Sequence, residues 1–373
     1  MGQTIYTALG LMSGTSLDGV DAAFLETDGE KIISFGPGVM ETYSGSDRDT
    51  LAQATHAALR WQFKGSPPNS FSAAVDVVHR VHMSGIGGAG NANTGWMSKL
   101  DIIGYHGQTV LHHPPMAGAA GQTLQLGDGQ VLADRFNLPV AFDFRSADLA
   151  AGGQGAPLAP IYHKALVEYS NLAGTTTVLN LGGVGNVTLV GDGLLAATDT
   201  GPANGPLDTW VERHDLTSDT NGRISREGTA DFERVEKWLA RDFFQRPLPR
   251  SADRYDFDVM DDMQGLSLMD GAATLCAYAA LGVRKSLLQL GGKPDRIIVC
   301  GGGRHNKTVM TMLSVELGCR VLSAEDVGWD ADMIEAQAFA YLAVRTKLGL
   351  PISFPDTTGV PAPMTGGQIA YPK

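Results

Sequence analysis

The N-terminal part of the chain alternates between short apolar runs and longer segments of helical periodicity. Apolar runs at Ile5–Met12 and Val20–Leu25 are separated by a polar turn, and a further run follows at Lys31–Phe35. Apolar runs of this length between turn residues are typical of strands, so we predict a meander of three strands. The next segments, 49–63 and 70–84, space Leu, Ala, Val and Phe three and four positions apart, which predicts helices.

The same alternation continues to the C-terminus. The further predicted strands are Leu100–Gly104, Leu138–Phe142, Val178–Leu181, Val187–Val190 and Ile297–Cys300. The further predicted helices are 229–244, 267–289, 307–318 and 332–347. Glycines interrupt the second helical pattern, and we predict a flexible surface loop at 86–96. Strands that alternate with helices in this way predict an α/β protein.

One part of this pattern occurs twice. A strand, a polar or glycine turn and a second strand occur at residues 5–25 and again at 178–190. The repetition favours two copies of one α/β unit, which would form two lobes with both turns lining the cleft between them. The alternative is chance, because α/β proteins contain many glycine turns. The length of 373 residues, about two to three usual domains, is consistent with two lobes.

Charge and composition exclude several classes of protein. Hydrophobic residues make up 43% of the chain and charged residues 18%, as in globular proteins, and the net charge of −12 disfavours binding to nucleic acid or anionic membranes. No stretch approaches the ~20 apolar residues of a membrane-spanning helix, and the N-terminus lacks the pattern of a signal peptide. Three scattered cysteines without a CxxC pair argue against a disulfide framework and a zinc site. We therefore expect a cytoplasmic protein.

Glycine is enriched, with 47 of 373 residues against a usual share of ~7%. The glycines cluster at the ends of apolar runs, where a residue without Cβ lets phosphate oxygens approach backbone N–H groups. The segment 10–21, GLMSGTSLDGVD, adds hydroxyl and carboxylate groups that suit phosphates and Mg²⁺. From these residues alone, an ordinary hairpin turn is the slightly favoured alternative.

Six ordered motifs of the chain resemble those of the anhydro-N-acetylmuramic acid kinase family. They are GLMSGTSLDGVD (10–21), GYHGQTVLHHP (104–114), DFRSADLAAGGQGAPLAP (143–160), LNLGGVGNVT (179–188), DTGPAN (199–204) and CGGGRHN (300–306). The resemblance covers nearly the whole chain. It implies a two-lobed, duplicated actin-like ATPase fold of the ribonuclease H-like type, with a cleft for ATP and sugar between the lobes.

The resemblance also implies an activity. Kinases of this family use ATP and water to open the ring of 1,6-anhydro-N-acetylmuramic acid and to phosphorylate O6, which gives N-acetylmuramic acid 6-phosphate and ADP in cell-wall recycling. The implied cofactors are ATP and Mg²⁺, and the implied partners are these small molecules, with no nucleic acid and no membrane. A homodimer is expected by the same resemblance. Nothing in composition or spacing identifies the sugar.

The nucleotide contacts implied by the resemblance fall in three segments. The first phosphate turn comprises Gly14, Thr15, Ser16, Leu17, Asp18, Gly19, Val20 and Asp21, and Asp18 is expected to hold Mg²⁺ through ATP. The second phosphate turn and the adenosine side comprise Gly182, Gly183, Asn186, Gly301, Gly302, Gly303 and Asn306.

Asp199 is the residue to which the resemblance assigns the chemistry. It follows an apolar run and precedes Gly201 and Pro202, so from the residues alone a turn-capping carboxylate is the preferred interpretation. Matched to the family motif D-x-G-P-x-N, it corresponds to the catalytic base. A base of this kind takes a proton from the water that attacks the anomeric carbon while O6 takes the γ-phosphoryl group.

Four further residues are expected to bind the sugar. Arg145 suits the lactyl carboxylate or a phosphate, because its planar fork makes bidentate contacts, although an ion pair to a neighbouring Asp is equally consistent. His106 and Gln108 are expected to line the substrate site. Glu335 opens a predicted helix, where an anionic side chain is stabilised, and by resemblance it contacts the sugar.

The resemblance leaves the lobe boundaries and one loop open. With the motifs of the two lobes facing each other, we expect one lobe at 1–144 plus 355–373 and the other at 145–354. The family commonly has Lys-Ser-Thr-Gly-Arg-Glu where residues 250–256 keep only Ser251 and Arg254, so contacts assigned to this loop are in doubt.

Two other functions remain as alternatives. One is a glycosidase with Asp199 and Glu335 as paired carboxylates, which would leave the glycine turns unexplained. The other is a nucleotide-regulated binding protein like actin or Hsp70.

Overall fold

The computed structural model describes residues 4–116 and 118–373. These residues form two compact units. Unit 1 comprises the chain up to Tyr169 together with Asp332–Lys373, and unit 2 comprises Ser170–Ala331. Helices and strands are numbered below in chain order across both units.

Unit 1 contains the N-terminal strands and the last long helix. Its strands are β1 (Tyr6–Ser13), β2 (Gly19–Thr27), β3 (Ile32–Thr42), β4 (Leu100–His113), β5 (Gln122–Leu126), β6 (Val140–Phe142) and β12 (Gln368–Ala370). Its helices are α1 (Gly45–Trp61), α2 (Ser70–Ala92), α3 (Thr94–Met97), α4 (Gly129–Phe136), α5 (Ser146–Ala150), α6 (Pro160–Tyr169), α11 (Ile334–Leu348) and α12 (Pro355–Thr358).

Unit 2 contains the middle of the chain. Its strands are β7 (Thr176–Leu181), β8 (Val184–Gly191), β9 (Leu194–Pro202), β10 (Arg296–Cys300) and β11 (Arg320–Ser323). Its α-helices are α7 (Asn204–Glu212), α8 (Phe232–Leu239), α9 (Leu268–Gln289) and α10 (Lys307–Leu317). Helix α9 is buried along most of its length and packs against an aromatic cluster that includes Phe243 and Phe244. None of the helices in the described part of the chain is long and apolar enough to cross a membrane.

The two units repeat one strand order. In unit 1, β1, β2 and β3 form an antiparallel meander, β4 lies parallel to β1 on its other side, and β6 lies parallel to β4. In unit 2, β7, β8 and β9 form the meander, β10 lies parallel to β7, and β11 lies parallel to β10. The prediction of a duplicated α/β fold of the actin-like ATPase type is therefore confirmed.

Helix α11 packs on the sheet of unit 1 with almost no space between backbones. A Cβ added at Gly10 of β1 would lie 1.8 Å from the carbonyl oxygen of Ala336, and one at Gly104 of β4 would lie 2.1 Å from that of Phe339. Residues 332–348 belong to unit 1, as do 145–169, whereas the sequence expectation placed both segments in the other lobe. Close packing against β1 and β4 explains the position of 332–348, and the Tyr162 hydroxyl, which donates to Gln337 of α11 at 2.7 Å, links 145–169 to the same helix.

Two predictions of local structure are wrong. The expected loop at 86–96 is mostly helical, in α2 and α3, because Ile86 and Ala89 continue the buried face of α2. Strand β4 extends to His113 instead of ending at Gly104, because its second half pairs with β5, a strand that the sequence pattern did not indicate.

We expect Gly104→Ala to destabilise the protein by about 1–3 kcal/mol, because the added methyl group would collide with the backbone of α11. Urea unfolding measures the change. Gly88→Ala in α2 is the matched control, since no atom lies within 4 Å of the added methyl and alanine favours helix by about 1 kcal/mol. Equal effects of the two substitutions would contradict the close-packing argument.

Candidate functional site

The first predicted phosphate turn is the connection between β1 and β2 in unit 1. Thr15, Ser16 and Asp18 are exposed, so their hydroxyl and carboxylate groups are available to a ligand. Leu17 adopts a left-handed backbone conformation, with φ of 59°, and its N–H donates to Gly14 at 3.3 Å. The remaining predicted positions, Gly19, Val20 and Asp21, are part of β2.

Buried polar side chains hold this turn in place. The Ser13 hydroxyl lies 2.9 Å from the Tyr43 hydroxyl and donates to Gln108 Oε1 at 2.5 Å. Gln108 is fully buried, and its Nε2 donates to the carbonyl of Gly14 at 3.2 Å. Burial raises the pKa of Tyr43 to about 12, so its hydroxyl stays protonated. Gln108, expected to line the substrate site, therefore also fixes the start of the phosphate turn.

His106 and Arg145 form the central pair of unit 1. The Nε and Nη2 atoms of Arg145 lie 3.1 Å and 3.0 Å from Nε2 of His106, whose Nδ1 lies 2.8 Å from the carbonyl oxygen of Gly107. His106 is buried, and burial together with the Arg145 cation holds its pKa well below 6.5. The imidazole is therefore neutral, with the proton on Nδ1 donated to Gly107 and Nε2 accepting from Arg145.

Arg145 also contacts the glycine-rich loop that follows α5. Its Nη1 donates to the carbonyl oxygen of Gly155 at 2.7 Å. The carboxylate of Asp148, which is buried, accepts from the Gly155 N–H and the Thr358 hydroxyl, both at 2.6 Å. Nε2 of His112 lies 2.9 Å from the Gln154 carbonyl oxygen. From the sequence, Asp148 was considered only as a possible ion-pair partner of Arg145, and its partners in the structure show that it holds the loop.

Glu335 lies in the first turn of α11, one helical turn before Phe339. The Phe339 ring packs on His106, with 4.6 Å between ring centroids. Glu335 therefore lies on the helix face that points to the His106–Arg145 pair. Surrounding protein raises the pKa of Glu335 and Arg145 opposes the rise, but the side chain is exposed, so solvent limits the desolvation.

In unit 2, three of the predicted motifs meet around the second phosphate turn. The N–H groups of Asn204 and Gly205, at the start of α7, donate to the carbonyls of Gly182 and Gly183 at 2.8 Å and 3.1 Å. A Cβ at Gly301, whose φ is 75°, would lie 2.3 Å from Oδ1 of Asn180, next to this turn. Glycine is therefore required where the third motif approaches the second phosphate turn.

The rest of the third motif lies close by. A Cβ at Gly303 would lie 2.9 Å from Oδ1 of Asn204, and Gly302 approaches the same side chain. Asn306 is buried and caps α10, accepting from the N–H groups of Thr308 and Val309 at 3.0 Å and 3.2 Å. The Asn306 side chain therefore has a structural role here, and nucleotide contact by it stays a prediction.

Asp199 lies inside β9, opposite Asn186 of β8, and is buried. Its Oδ2 accepts from the N–H of Ala252 at 2.9 Å, and its own N–H donates to the carbonyl of Arg250 at 3.0 Å. A backbone donor of this kind favours the ionised form of a carboxylate. As the turn-capping interpretation expects, the Asp199 carboxylate accepts from a backbone N–H. The donor, however, is Ala252, which is distant in sequence and not part of the adjacent turn.

Arg250, which sequence analysis did not single out, is buried and interacts electrostatically with Asp199. Its Nη2 donates to the Ser286 hydroxyl at 3.0 Å, and its guanidinium carbon lies 4.5 Å from the Phe243 ring centroid. Burial lowers the pKa of Arg250 to about 10 and Asp199 opposes the decrease, so the side chain remains a cation at neutral pH. Its charge further favours an ionised Asp199.

No cluster of three or more His, Cys, Asp and Glu side chains within residues 4–116 and 118–373 is arranged to hold a metal ion. In kinases, phosphates together with one or two carboxylates usually supply the ligands of Mg²⁺. The exposed Asp18 fits such a role.

Comparison with known proteins identifies the family of the chain. The family model for anhydro-N-acetylmuramic acid kinase matches residues 6–372. The chain belongs to the anhydro-N-acetylmuramic acid kinase family. A kinase of that name from Phenylobacterium zucineum is 48% identical over 369 residues, which cover 98% of this chain and 99% of the relative. Another, from Caulobacter vibrioides, is 48% identical over 364 residues, which cover 97% and 98% of the two chains.

Among solved structures, component A of (R)-2-hydroxyglutaryl-CoA dehydratase from Acidaminococcus fermentans is similar over 92% of this chain and 99% of its own. Its TM-score is 0.48 and its sequence identity 11%. The family match over residues 6–372 includes residues of both units.

The buried histidines of unit 1 make a prediction about acid stability. Burial lowers the pKa values of His82, His112 and His163 to about 4, and that of His106 well below 6.5. As the pH falls below 6.5, the unfolded chain binds these protons before the folded chain does. The free energy of unfolding should therefore decrease towards pH 4, by about 1.4 kcal/mol per pH unit for each such group.

Urea unfolding at several pH values between 7 and 5 measures this slope. Replacing His163 by Gln should make the slope shallower by the contribution of one histidine, which is about 1.4 kcal/mol per pH unit. An identical slope in the variant would show that His163 is not held neutral in the folded protein.

Proposed function

We propose that the chain is an ATP-dependent anhydro-N-acetylmuramic acid kinase. It opens the 1,6-anhydro ring of its sugar with water and phosphorylates O6, so that N-acetylmuramic acid 6-phosphate and ADP form in peptidoglycan recycling. The observation that carries this proposal is the family match over residues 6–372, which includes every motif discussed above.

Asp199 is the proposed general base. Water forms a bond to the anomeric carbon and gives its proton to Asp199, the bond from that carbon to O6 breaks, and O6 takes the γ-phosphoryl group as ADP leaves. A base must be ionised before it acts. The Ala252 N–H and the buried Arg250 cation, both close to the Asp199 carboxylate, favour that state.

The two glycine turns are the proposed phosphate sites. In unit 1, exposed Thr15, Ser16 and Asp18 offer hydroxyl and carboxylate groups. In unit 2, Gly182 and Gly183 have no side chains that would hinder a phosphate, and Gly301–Gly303 form the adenosine side. Bound Mg²⁺ would neutralise charge on the phosphates, with Asp18 as its proposed protein contact.

The proposed sugar-binding residues are in unit 1. Arg145 presents a fixed guanidinium to the acidic group of the sugar, while His106 and Gln108 line the same region and Glu335 contributes a carboxylate from α11. The Mg²⁺ requirement, the homodimer and the cytoplasmic location remain predictions.

A single assay separates this function from the alternatives. ADP release from ATP is measured with and without 1,6-anhydro-N-acetylmuramic acid. We expect release that depends on the sugar. Release without sugar would instead favour a nucleotide-regulated binding protein, and sugar hydrolysis without ADP release would favour a glycosidase.

Replacing Asp199 by Asn tests the mechanism. The amide keeps the size of the side chain but cannot accept the proton, so turnover should fall by about 10²–10⁴-fold. Sugar affinity, measured by calorimetry, should change much less, because the proposed sugar contacts come from other residues.

Asp143→Asn is a useful comparison for this variant. Asp143 accepts from Gln368 at 2.8 Å at the surface of unit 1 and has no proposed part in proton transfer. A folded Asp199→Asn enzyme that turns over within a few-fold of the parent would end the general-base assignment.

A further inference from the structure

The contacts of Arg145 show how its orientation is maintained. Two of its nitrogen atoms donate to Nε2 of His106, at 3.1 Å and 3.0 Å, and a third donates to the Gly155 carbonyl at 2.7 Å. All three bonds end on neutral acceptors. They fix the plane of the guanidinium group without neutralising its charge.

The surroundings of His106 keep its imidazole neutral, which allows Nε2 to accept hydrogen bonds from Arg145. The imidazole is buried, its Nδ1–H donates to Gly107, and the Phe339 ring covers one side of it. A His106 that carried two protons could not accept from Arg145 and would repel it. Burial beside a cation disfavours that form.

Carboxylates are close to Arg145 in sequence, but they are engaged with other donors. Asp148 accepts from the Gly155 N–H and the Thr358 hydroxyl, and Asp143 accepts from Ser146 and Gln368. Glu335 interacts electrostatically with Arg145, but its side chain is exposed, and solvent weakens that attraction.

We infer that His106 is a positioning residue that orients Arg145 through a neutral acceptor, so that the guanidinium keeps its charge for the carboxylate of an acidic sugar. The inference rests on the proposed function, which supplies that sugar. It makes His106 a determinant of specificity for acidic over neutral anhydro sugars, acting through Arg145 and not through contact with the reacting atoms.

Three substitutions separate charge from hydrogen bonding. His106→Gln places a neutral acceptor near the position of Nε2, His106→Glu places a negative charge there, and His106→Leu removes the acceptor. Calorimetry measures the affinity of each variant for 1,6-anhydro-N-acetylmuramic acid and for 1,6-anhydro-N-acetylglucosamine, which lacks the carboxylate. The KM for ATP and the thermal midpoint are measured alongside.

We expect His106→Gln to retain acid-sugar affinity within about threefold and His106→Glu to lose about tenfold or more, because the new carboxylate competes for Arg145. The neutral sugar should distinguish these two variants by less than threefold, and the KM for ATP should not change. If His106→Glu does not fold, His106→Leu replaces it, with an expected loss that is also larger for the acid sugar. His163→Gln, another buried histidine of unit 1, controls for the loss of an imidazole.

Equal losses for the acid and neutral sugars, or equal behaviour of the Gln, Glu and Leu variants, would overturn the positioning role. Failure of the unsubstituted protein to bind the acid sugar would have a different meaning. It would overturn the proposed function and, with it, this inference.

Discussion

The close approach of α11 to β1 and β4 is the constraint on which the rest of unit 1 depends. The carbonyls of Ala336 and Phe339 occupy the space that side chains at Gly10 and Gly104 would fill. Because the helix lies this deep, the Phe339 ring reaches His106, and His106 in turn holds Arg145. The absence of side chains at these two glycines thus determines where the charged groups of the site lie. Glu335, one turn before Phe339, is positioned by the same packing.

The two ionised groups proposed for the chemistry are stabilised in different ways. Arg145 donates to an uncharged imidazole and to a carbonyl, and these contacts fix its orientation without adding an opposite charge. The Asp199 carboxylate accepts from a backbone N–H, and the buried Arg250 cation adds an opposite charge that favours the ionised form. Neutral hydrogen bonds therefore orient the cation, whereas a hydrogen bond and a nearby charge together stabilise the proposed base.

Much of the fold could be predicted from the sequence, because apolar periodicity is a local signal. The helices expected at 267–289 and 307–318 are observed as Leu268–Gln289 and Lys307–Leu317. Strand β5 and the end of α2 were missed for physical reasons. The first is an edge strand with little apolar periodicity, and the second is a glycine-rich helix end whose buried residues, such as Ile86 and Ala89, pack within unit 1.

The candidate site could be predicted from the sequence less completely than the fold. Motif residues such as Asp199 and Arg145 could be named, but the roles of Asp148, Tyr43 and Arg250 could not. These roles depend on partners far away in the sequence, and no local pattern carries that information. Ser13 and Gln108, for example, are 95 residues apart and share a hydrogen bond.

The loop at 250–256, which departs from the usual family pattern, shows why such a departure need not remove a function. Its contacts with Asp199 are made by the main chain, through the carbonyl of Arg250 and the N–H of Ala252. Any residue other than proline supplies that N–H, so alanine at position 252 preserves the contact. The side chain that matters is that of Arg250, because its stacking on Phe243 and its bond to Ser286 fix the backbone at this point. The contact with Asp199 at position 252 therefore depends on the backbone that Arg250 anchors and not on the side chain of residue 252.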